Sequence, residues 1–406
     1  MEKGNGCSKD ILLHHLLPNV ICTGVIEGKA RTVNVNEKYV VLERDVENQL
    51  TVDNAKIITR DVMGTNGVIH IIEEVLIPET ARTVEEAMEE NHMTTLQELF
   101  EAAGMAEVLN DMSNLTIFAP SEKALSALPD EMVEDMKNNP EKLRDFLMYH
   151  ITTPKTCKCD MSNNKVLKTG VRDQQLRINT YGGVIPIMDE TPNVITAQCA
   201  RITNLDSEVC GGLIHTVDKV LMPPIGNFMD VMKLDPKHTE WVKLVQAAGM
   251  EEELNDHTGP LTMLAPTDGA FANMNDEEKR NMFENEEVAT QVVKHHMLRE
   301  MLCCAGINRN FMFFDQSTKF TLLEDDIVNV RRSNGGYLYA DRAELTTCDM
   351  MANNGVIHAI DRVLLPLNLR PHEHQDRPEE RIASNPHGYR FNNPLNLFKN
   401  FNIRFQ

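Results

Sequence analysis

The amino-acid sequence predicts an α+β fold that is repeated along the chain, with helices at the front of each repeat and antiparallel strands at the back. One motif closes each repeat and occurs three times. It consists of glycine, two apolar residues and histidine, with a proline eight positions after the histidine. Its histidines, His70, His215 and His358, lie 145 and 143 positions apart. That period is the length of a whole domain, whereas solenoid repeats span about 20–50 residues. Within the two full periods, helical periodicity gives way to short β-branched runs, which is typical of α+β domains.

The front of each full period has the pattern of amphipathic helices. Apolar residues recur at i, i+3, i+4 and i+7, first at Leu96, Leu99, Phe100 and Ala103 and again at Trp241, Leu244, Val245 and Ala248. This spacing forms one apolar stripe along a helix. Gly104 and Gly249 follow at the place where a left-handed residue ends a helix. The pattern predicts helices over 84–103, 129–150, 238–249 and 276–298.

The back of each period consists of short β-branched runs separated by polar turns. These runs predict strands at 31–35, 39–42, 50–52, 56–58, 175–179 and 327–330. A Leu-Thr-x-x-Ala-Pro motif stands at 115–120 and 261–266, and the first period has no counterpart of it. Residues 1–79 are therefore expected to be the C-terminal half of a domain, and the chain to be truncated at its N-terminus.

The order of these motifs resembles the fasciclin-domain family: an amphipathic helix, Leu-Thr-x-x-Ala-Pro, a doublet ending in histidine, and the closing motif. The joints between periods are similar to those of extracellular-matrix members that carry four such domains. The resemblance covers about residues 10–367 and implies tandem domains, each a β-wedge of antiparallel strands flanked by helices. It divides the chain into a C-terminal half-domain at 1–79, complete domains at 80–223 and 224–367, and a tail at 368–406 that is expected to be disordered.

Composition limits the classes of function. A net charge of −21 argues against nucleic-acid binding, which needs clustered Lys and Arg. No apolar run approaches the 18 or so residues of a membrane span, and nothing after Met1 has the pattern of a signal peptide. Because a truncated chain would lack its leader, we follow the resemblance, which implies a secreted protein of the extracellular matrix.

Catalysis has no support among the motifs. There is no Gly-rich phosphate loop, nucleophile elbow or helix with paired histidines around a glutamate. We therefore expect no enzyme activity, no cofactor and no metal site. The closing-motif histidines lie between apolar residues on predicted strands, and we expect them to be structural. The doublet histidines His15, His150 and His296 are expected to lock the end of a helix against the sheet.

Recognition of integrins is the sharper hypothesis. The resemblance implies two patterns, a Tyr-His doublet with aliphatic neighbours and an aspartate followed by an apolar residue. The first falls on Leu147, Tyr149, His150 and Ile151, and the second on Asp61-Val62 and Asp349-Met350. An exposed aspartate could coordinate an integrin-bound divalent cation, since such cations take carboxylate oxygens. The alternative is that Tyr149 is buried and that Asp61 only caps a turn.

Nine cysteines and one glycosylation sequon complete the candidate sites. Cys199 and Cys210, on neighbouring predicted strands, are expected to pair, as is either Cys303 or Cys304 with Cys348. Cys157 and Cys159 are too close in sequence for an easy bridge, so at least one is expected to pair elsewhere. The absence of Cys-x-x-Cys pairs argues against zinc. Asn114 begins the sequon.

Two functions from different classes remain open. The first is a secreted adhesion protein that links integrins to collagen or other matrix components, helped by the avidity of repeated domains. The second is the ligand-binding extracellular part of a scavenger-type or membrane-attached adhesion receptor. Self-association into a homo-oligomer is also left open. The basic, Phe-containing segment from Arg381 onward is expected either to dock on matrix or an acidic polymer, or to have no role.

Overall fold

Each period of the sequence folds around its own β-sheet in the computed structural model, which describes residues 7–105, 109, 114–182, 194–257, 259–307 and 318–370. We call residues 7–79 the first unit, 80–223 the middle unit and 224–367 the last unit. Helices and antiparallel-rich sheets confirm the predicted α+β class. In the described part of the chain, no helix is both long enough and apolar enough to cross a membrane.

The first unit is one short helix followed by a five-stranded antiparallel meander. Helix α1 is Ser8–His14, and the strands, in their order across the sheet, are β1 Lys29–Val33, β2 Tyr39–Arg44, β3 Leu50–Val52, β4 Ala55–Met63 and β5 Val68–Ile72. Alternate residues of β2 and β3, such as Val40, Leu42 and Leu50, are buried beneath the sheet. This alternation is the one that places every second side chain on the same face.

The helical half of the middle unit precedes its sheet. Its helices are α2 Val84–Glu90, α3 Thr94–Ala102, α4 Glu122–Ser126, α5 Asp130–Asn138 and α6 Pro140–Tyr149. The predicted helix over 129–150 is therefore two helices. Asn139 is extended and its side chain accepts a hydrogen bond from the Lys142 N–H, while Pro140 occupies the first helical position, which needs no N–H.

The sheet of the middle unit closes into a barrel. Its strands are β6 Leu115–Pro120, β7 Ile151–Thr153, β8 Lys165–Thr169, β9 Gln175–Tyr181, β10 Val194–Ala197, β11 Ala200–Val209 and β12 Gly212–Val217, arranged β10-β11-β12-β6-β7-β8-β9. Strands β6 and β12 run parallel, with Leu115 opposite Gly212 and Ile117 opposite Ile214. The closing motif thus pairs directly with the Leu-Thr-x-x-Ala-Pro motif, and this parallel pair is an exception to the antiparallel expectation.

The last unit repeats this succession of helices and strands, with an open seven-stranded sheet among its described residues. Its helices are α7 Phe228–Leu234, α8 Thr239–Ala247, α9 Glu251–Asn255, α10 Asp268–Ala272, α11 Asp276–Glu284 and α12 Glu286–His295. Its strands are β13 Leu261–Pro266, β14 Met297–Leu298, β15 Thr318–Phe320, β16 Ile327–Arg332, β17 Leu338–Ala340, β18 Ala343–Ala352 and β19 Gly355–Ile360. The order is β14-β13-β19-β18-β17-β16-β15, and β13 is parallel to β19.

The predicted helical stripes form the cores of the two larger units. Leu96, Leu99 and Phe100 of α3 are buried against the parallel strands, as are Trp241 and Leu244 of α8. Both helices end at a left-handed glycine, with φ of 64° at Gly104 and at Gly249, as predicted. The helices therefore cover the side of the sheet to which the closing motif contributes its apolar residues.

Candidate adhesion site

The closing-motif histidine clamps two backbone segments in every unit. In the middle unit, the Asp206 N–H donates to His215 Nδ1 at 3.0 Å, and His215 Nε2–H donates to the Thr156 carbonyl at 2.9 Å. Equivalent pairs join His70 and His358 to their own aspartate N–H groups and carbonyls. Burial lowers the pKa of His215 and His358, so both rings stay neutral. The predicted structural role of these histidines is confirmed.

The aspartate of this clamp lies on a β-bulge. Asp61, Asp206 and Asp349 have φ of 52°, 57° and 60°, a left-handed conformation in which the strand changes register. Each carboxylate accepts a backbone hydrogen bond of 2.8 Å, from Thr23, Lys158 and Cys304 respectively. The aspartate carboxylate and the histidine ring thus bind the two residues that flank one turn position. This position is a cysteine in all three units.

The doublet histidine forms a second clamp. His150 Nδ1–H donates to the Phe146 carbonyl at 2.8 Å, and Nε2 accepts from the Leu221 N–H at 3.0 Å. His15 and His296 make the same two bonds in their units. Burial lowers the pKa of His150 to about 4 and that of His296 to about 3. These rings fasten the end of a helix to the segment after the closing motif, as predicted.

The predicted Tyr-His recognition pattern lies inside the middle unit. Leu147, Tyr149, His150 and Ile151 are all buried. The Tyr149 hydroxyl donates to the Gln175 carbonyl at 3.1 Å and accepts from Gln198 Nε2 at 2.9 Å. Burial raises its pKa to about 12. The helix end faces the sheet, so the four side chains have a structural role in this fold and are not displayed to a partner.

The predicted Asp-apolar pairs are closer to the surface, but their carboxylates already accept hydrogen bonds. Asp61 accepts from the Thr23 hydroxyl and N–H, which lowers its pKa. Asp349 accepts from the Cys304 N–H and from Lys219 Nζ at 2.6 Å, and its side chain is only 5% exposed. Val62 is 43% exposed, whereas Met350 packs against the core of the last unit.

Four disulfides join the cysteines in pairs that differ in part from those expected. They are Cys7–Cys210, Cys157–Cys159, Cys199–Cys303 and Cys304–Cys348. The expected Cys199–Cys210 pair is wrong because these residues flank opposite ends of β11, a ten-residue strand that separates them by about 30 Å at 3.3 Å per residue. The expectation against a Cys157–Cys159 bridge is also wrong, since a turn brings their Cα atoms within 5.3 Å.

A family model decides what these units are. The model of the fasciclin domain matches residues 1–78, 91–223 and 236–366. The chain belongs to the fasciclin family.

Several known proteins are similar to this one over half of its length or more. Transforming growth factor-beta-induced protein ig-h3 of Sus scrofa is 28% identical over 371 residues, which are 91% of this chain and 50% of that protein. Human periostin is 26% identical over 88% of this chain and 40% of its own. Mouse stabilin-2 is 25% identical over 52% of this chain and 8% of its own. The chain therefore spans about half the length of ig-h3 and less of periostin.

Among solved structures, a FAS1 domain pair from the insect cell adhesion molecule fasciclin I aligns with 70% of this chain and 96% of its own. Its sequence identity is 17% and its TM-score is 0.35.

The junctions between fasciclin units are the feature that sequence reasoning missed. Cys199 of the middle unit bonds Cys303 of the last, and beside them the Tyr181 hydroxyl donates to the Met301 carbonyl at 3.1 Å and accepts from the Cys303 N–H at 2.9 Å. Burial raises the pKa of Tyr181. At the other junction, Lys38 pairs with Glu208 at 2.6 Å beside Cys7–Cys210. The doubled Cys303-Cys304 was the available signal, because one partner inside the unit leaves the other free to reach its neighbour.

The remaining predicted sites lie at the edge of the fold or beyond it. Asn114 is exposed, with φ of 62°, and its side-chain carbonyl accepts from the Lys155 N–H at 2.9 Å. Its glycosylation stays a prediction. Of the described cysteines, Cys22 has no disulfide partner and is exposed. The basic tail from Arg381 onward lies outside the described residues.

Proposed function

We propose that this protein is a secreted, non-catalytic adhesion protein of the extracellular matrix that links cells, through integrins, to collagen or other matrix components. The observation that carries the proposal is the similarity to ig-h3 and periostin across 91% and 88% of the chain, including all three fasciclin units. Disulfides across both junctions fit this location, because such bonds persist mainly in oxidising, extracellular compartments.

The fixed junctions support adhesion through avidity. When binding sites share one chain, engagement of the first raises the effective concentration of the next, provided that the geometry allows both to bind. Disulfides and the partly buried Tyr181 contact hold neighbouring units in one arrangement, which reduces the freedom lost on binding. Weak binding sites on separate units then combine to give a higher overall affinity for a surface.

Within this proposal, Asp61 and Val62 are the recognition residues best placed to meet an integrin. Val62 is exposed, and Asp61 lies beside it on the bulge of β4. A bound cation would compete with the Thr23 donors for the Asp61 carboxylate. Tyr149 and His150 would support the site only by holding the middle unit together.

The test is attachment of integrin-bearing cells to the immobilised full chain, with binding of the soluble chain to collagen measured beside it. We expect attachment that is lost on chelation of divalent cations and weakened several-fold by Val62→Ala. The matched control Met63→Ala alters an exposed neighbour outside the pattern and should leave attachment unchanged. Tyr149→Phe, which removes only an inward-facing hydroxyl, should also retain it. Attachment no stronger than to a coated inert protein would refute the proposal.

A receptor function is the second candidate, favoured by the similarity to stabilin-2 over 52% of the chain. In that case the units would capture a soluble ligand for uptake. Cells would then not spread on the coated chain, and a soluble macromolecule would bind it without divalent cations.

A further inference from the structure

Two cavities lie side by side on the hairpin that β8 and β9 form in the middle unit. The first, of about 500 Å³, reaches from the hairpin to Pro224 and Ile225 at the start of the last unit. The second, of about 410 Å³, lies at the hairpin turn. Asp173, Gln174 and Gln175 line both cavities. Each has a volume within the range of about 300–1,000 Å³ that is typical of ligand sites. We call the two together the junction cleft.

The register of the hairpin places its basic side chains on one face. Lys168 pairs with Gln175, and Val166 pairs with Arg177, whereas the intervening Leu176 is buried. Because successive side chains of a strand point to opposite faces, both pairs lie on the outer face of the hairpin. Lys168 and Arg177 are diagonal neighbours there, at about 7–8 Å from each other.

The junction cleft is basic, although the chain as a whole has a net charge of −21. Three basic residues, Lys168, Arg172 and Arg177, are among its described lining residues, against one acidic residue, Asp173. Asp173 pairs with Arg172 at 3.5 Å, and both side chains are exposed. Within the described part of the chain, Lys168 and Arg177 make no ion pair. The cleft therefore has two cationic side chains available to an anion.

Arg177 is the residue of the cleft best suited to bind that anion. Its guanidinium is partly buried and donates to the Asn164 carbonyl at 3.5 Å, a long hydrogen bond. Burial lowers the pKa of Arg177. A carboxylate can accept two parallel N–H bonds from a guanidinium, and such charge-assisted bonds are about twice as strong as neutral ones.

The fold itself does not require these two charges. The places of Arg177 and Lys168 recur in the other units, where the same N–H donates to a side chain of the following turn and the same strand pairing is present. The residues there are uncharged: Val41 and Val33 in the first unit, Asn329 and Phe320 in the last. The basic pair is thus a property of the middle unit that its architecture does not explain.

The remaining lining residues fit an extended peptide. Four amide side chains, which can donate to a carbonyl and accept from an N–H, come from both units: Gln174, Gln175, Gln198 and Asn353. Alternate side chains of an extended chain lie on one face and repeat at about 7 Å. That repeat agrees with the separation of Lys168 and Arg177, so two acidic residues at alternate positions would meet both cations.

We propose that the junction cleft binds an extended acidic peptide segment of a partner protein. Two carboxylates at alternate positions pair with Arg177 and Lys168, and the peptide backbone bonds to the amide side chains of the two units. The cleft lies in the middle and last units, apart from Asp61 and Val62. It therefore adds a partner to the proposed adhesion function without depending on integrin binding.

The test is titration of labelled synthetic peptides with the full chain at low salt, followed by fluorescence anisotropy. The probe is a serine-rich peptide in which one serine separates two glutamates. The matched peptide has the same composition with two serines between the glutamates, which places them on opposite faces of an extended chain. We expect the probe to bind about tenfold more tightly, because the matched peptide can form only one of the two charge-assisted contacts.

Arg177→Gln supplies the discriminating variant. It should weaken binding of the probe about tenfold and remove the preference for the probe over the matched peptide. Its thermal unfolding midpoint should equal that of the parent, since Asn329 occupies the same place in the last unit. The control Arg201→Gln removes the same charge from an exposed position of the middle unit outside the cleft, and it should leave the affinity unchanged.

Four results would overturn the proposal. They are equal binding of the two peptides, equal affinities of the variants Arg177→Gln and Arg201→Gln, binding of heparin without binding of the probe, and self-association of the full chain that Arg177→Gln abolishes while the probe does not bind. The third would assign the cleft to an acidic glycan, and the fourth to a second copy of this chain.

Discussion

The first and middle units have the same polar clamps and different cores. His70 and His215 each accept from an aspartate N–H and donate to a carbonyl, with matching bonds of 2.9–3.2 Å. Yet Ile69 is largely exposed where Ile214 is buried. The clamps join segments within the C-terminal half of a unit, so they form without the helices. The first unit keeps the core on one face of its sheet, whereas the core around Ile214 includes residues of the helical half, so local geometry and burial on this second face have different determinants.

The largest expected difference in stability comes from replacing the equivalent leucine by alanine in the middle unit and in the first unit. Leu147→Ala should cost the middle unit about 2–5 kcal/mol, because it leaves a cavity in a closed core. Leu12→Ala should cost the first unit no more than about 0.5 kcal/mol, since its side chain is exposed. Native-state hydrogen exchange, resolved by unit, measures both values. Equal losses would show that the two units have equivalent cores.

Removal of one junction disulfide should affect the first unit more than its neighbour. Cys7→Ser with Cys210→Ser should lower the stability of the first unit by about 2–4 kcal/mol, because that unit then has to retain its fold without a covalent tie. Limited proteolysis should cut within residues 7–79 earlier than in the parent. The control pair Cys199→Ser and Cys303→Ser should free the other junction and leave this cleavage unchanged. Equal resistance in the two double variants would show that the first unit is stable by itself.

Replacing the first glycine of the closing motif by alanine should destabilise the middle unit more than the first unit. The expected difference in the free energy of unfolding is about 1–3 kcal/mol. Gly212→Ala places a methyl group against the Leu115 carbonyl and should destabilise the middle unit by that amount. Gly67→Ala meets open space and should leave the first unit within about 0.5 kcal/mol of the parent. Urea denaturation, followed by hydrogen exchange in each unit, measures the two changes in stability. A large loss at Gly67 would mean that its face is already occupied.

The smallest effect is a pH dependence of the two complete units. The folded pKa values of His150, about 4, and of His296, about 3, lie below the ordinary 6.5. Each neutral ring therefore contributes stability that is fully present above pH 6.5 and is lost as the pH falls toward the folded value. Between these limits the stability should fall by on the order of 1 kcal/mol per pH unit for each histidine.

Unfolding midpoints of each unit between pH 7 and pH 5 measure this loss. His150→Gln should reduce the response of the middle unit, in which the lowered pKa of His215 still contributes, and leave that of the last unit intact. A slope unchanged by that substitution would assign the dependence to other groups.

Patterns with a short range in sequence predicted much of the fold. The stripe through Leu96 and Phe100 located a buried helix, and Gly104 marked its end. The structural roles of His150 and His215 followed from their apolar surroundings. The predicted single helix over 129–150 missed the break at Asn139-Pro140, although a capping residue followed by proline begins a helix more often than it continues one.

Contacts between units were beyond these patterns. Cys7 and Cys210 are separated by 203 positions, and their meeting depends on how two folded units pack. The parallel pairing of β6 with β12 likewise could not be predicted from local patterns, because it depends on how the residues between the two strands fold. Burial of Tyr149 could be stated only as an alternative, because periodicity does not show which side of a helix end faces the sheet.

The disulfides also determine how the array responds to a pull. The shortest covalent route between Cys7 and Cys348 runs through Cys7–Cys210, back along β11, and then through Cys199–Cys303 and Cys304–Cys348. The helices of both units lie outside that route, so tension between its ends acts first on β11 and on the strands paired with it. The fully extended length of the route is at most about 3.3–3.6 Å for each of its residues, and β11 is already extended. Under load, the covalent route from Cys7 to Cys348 is therefore a short tether that carries the force past the helices.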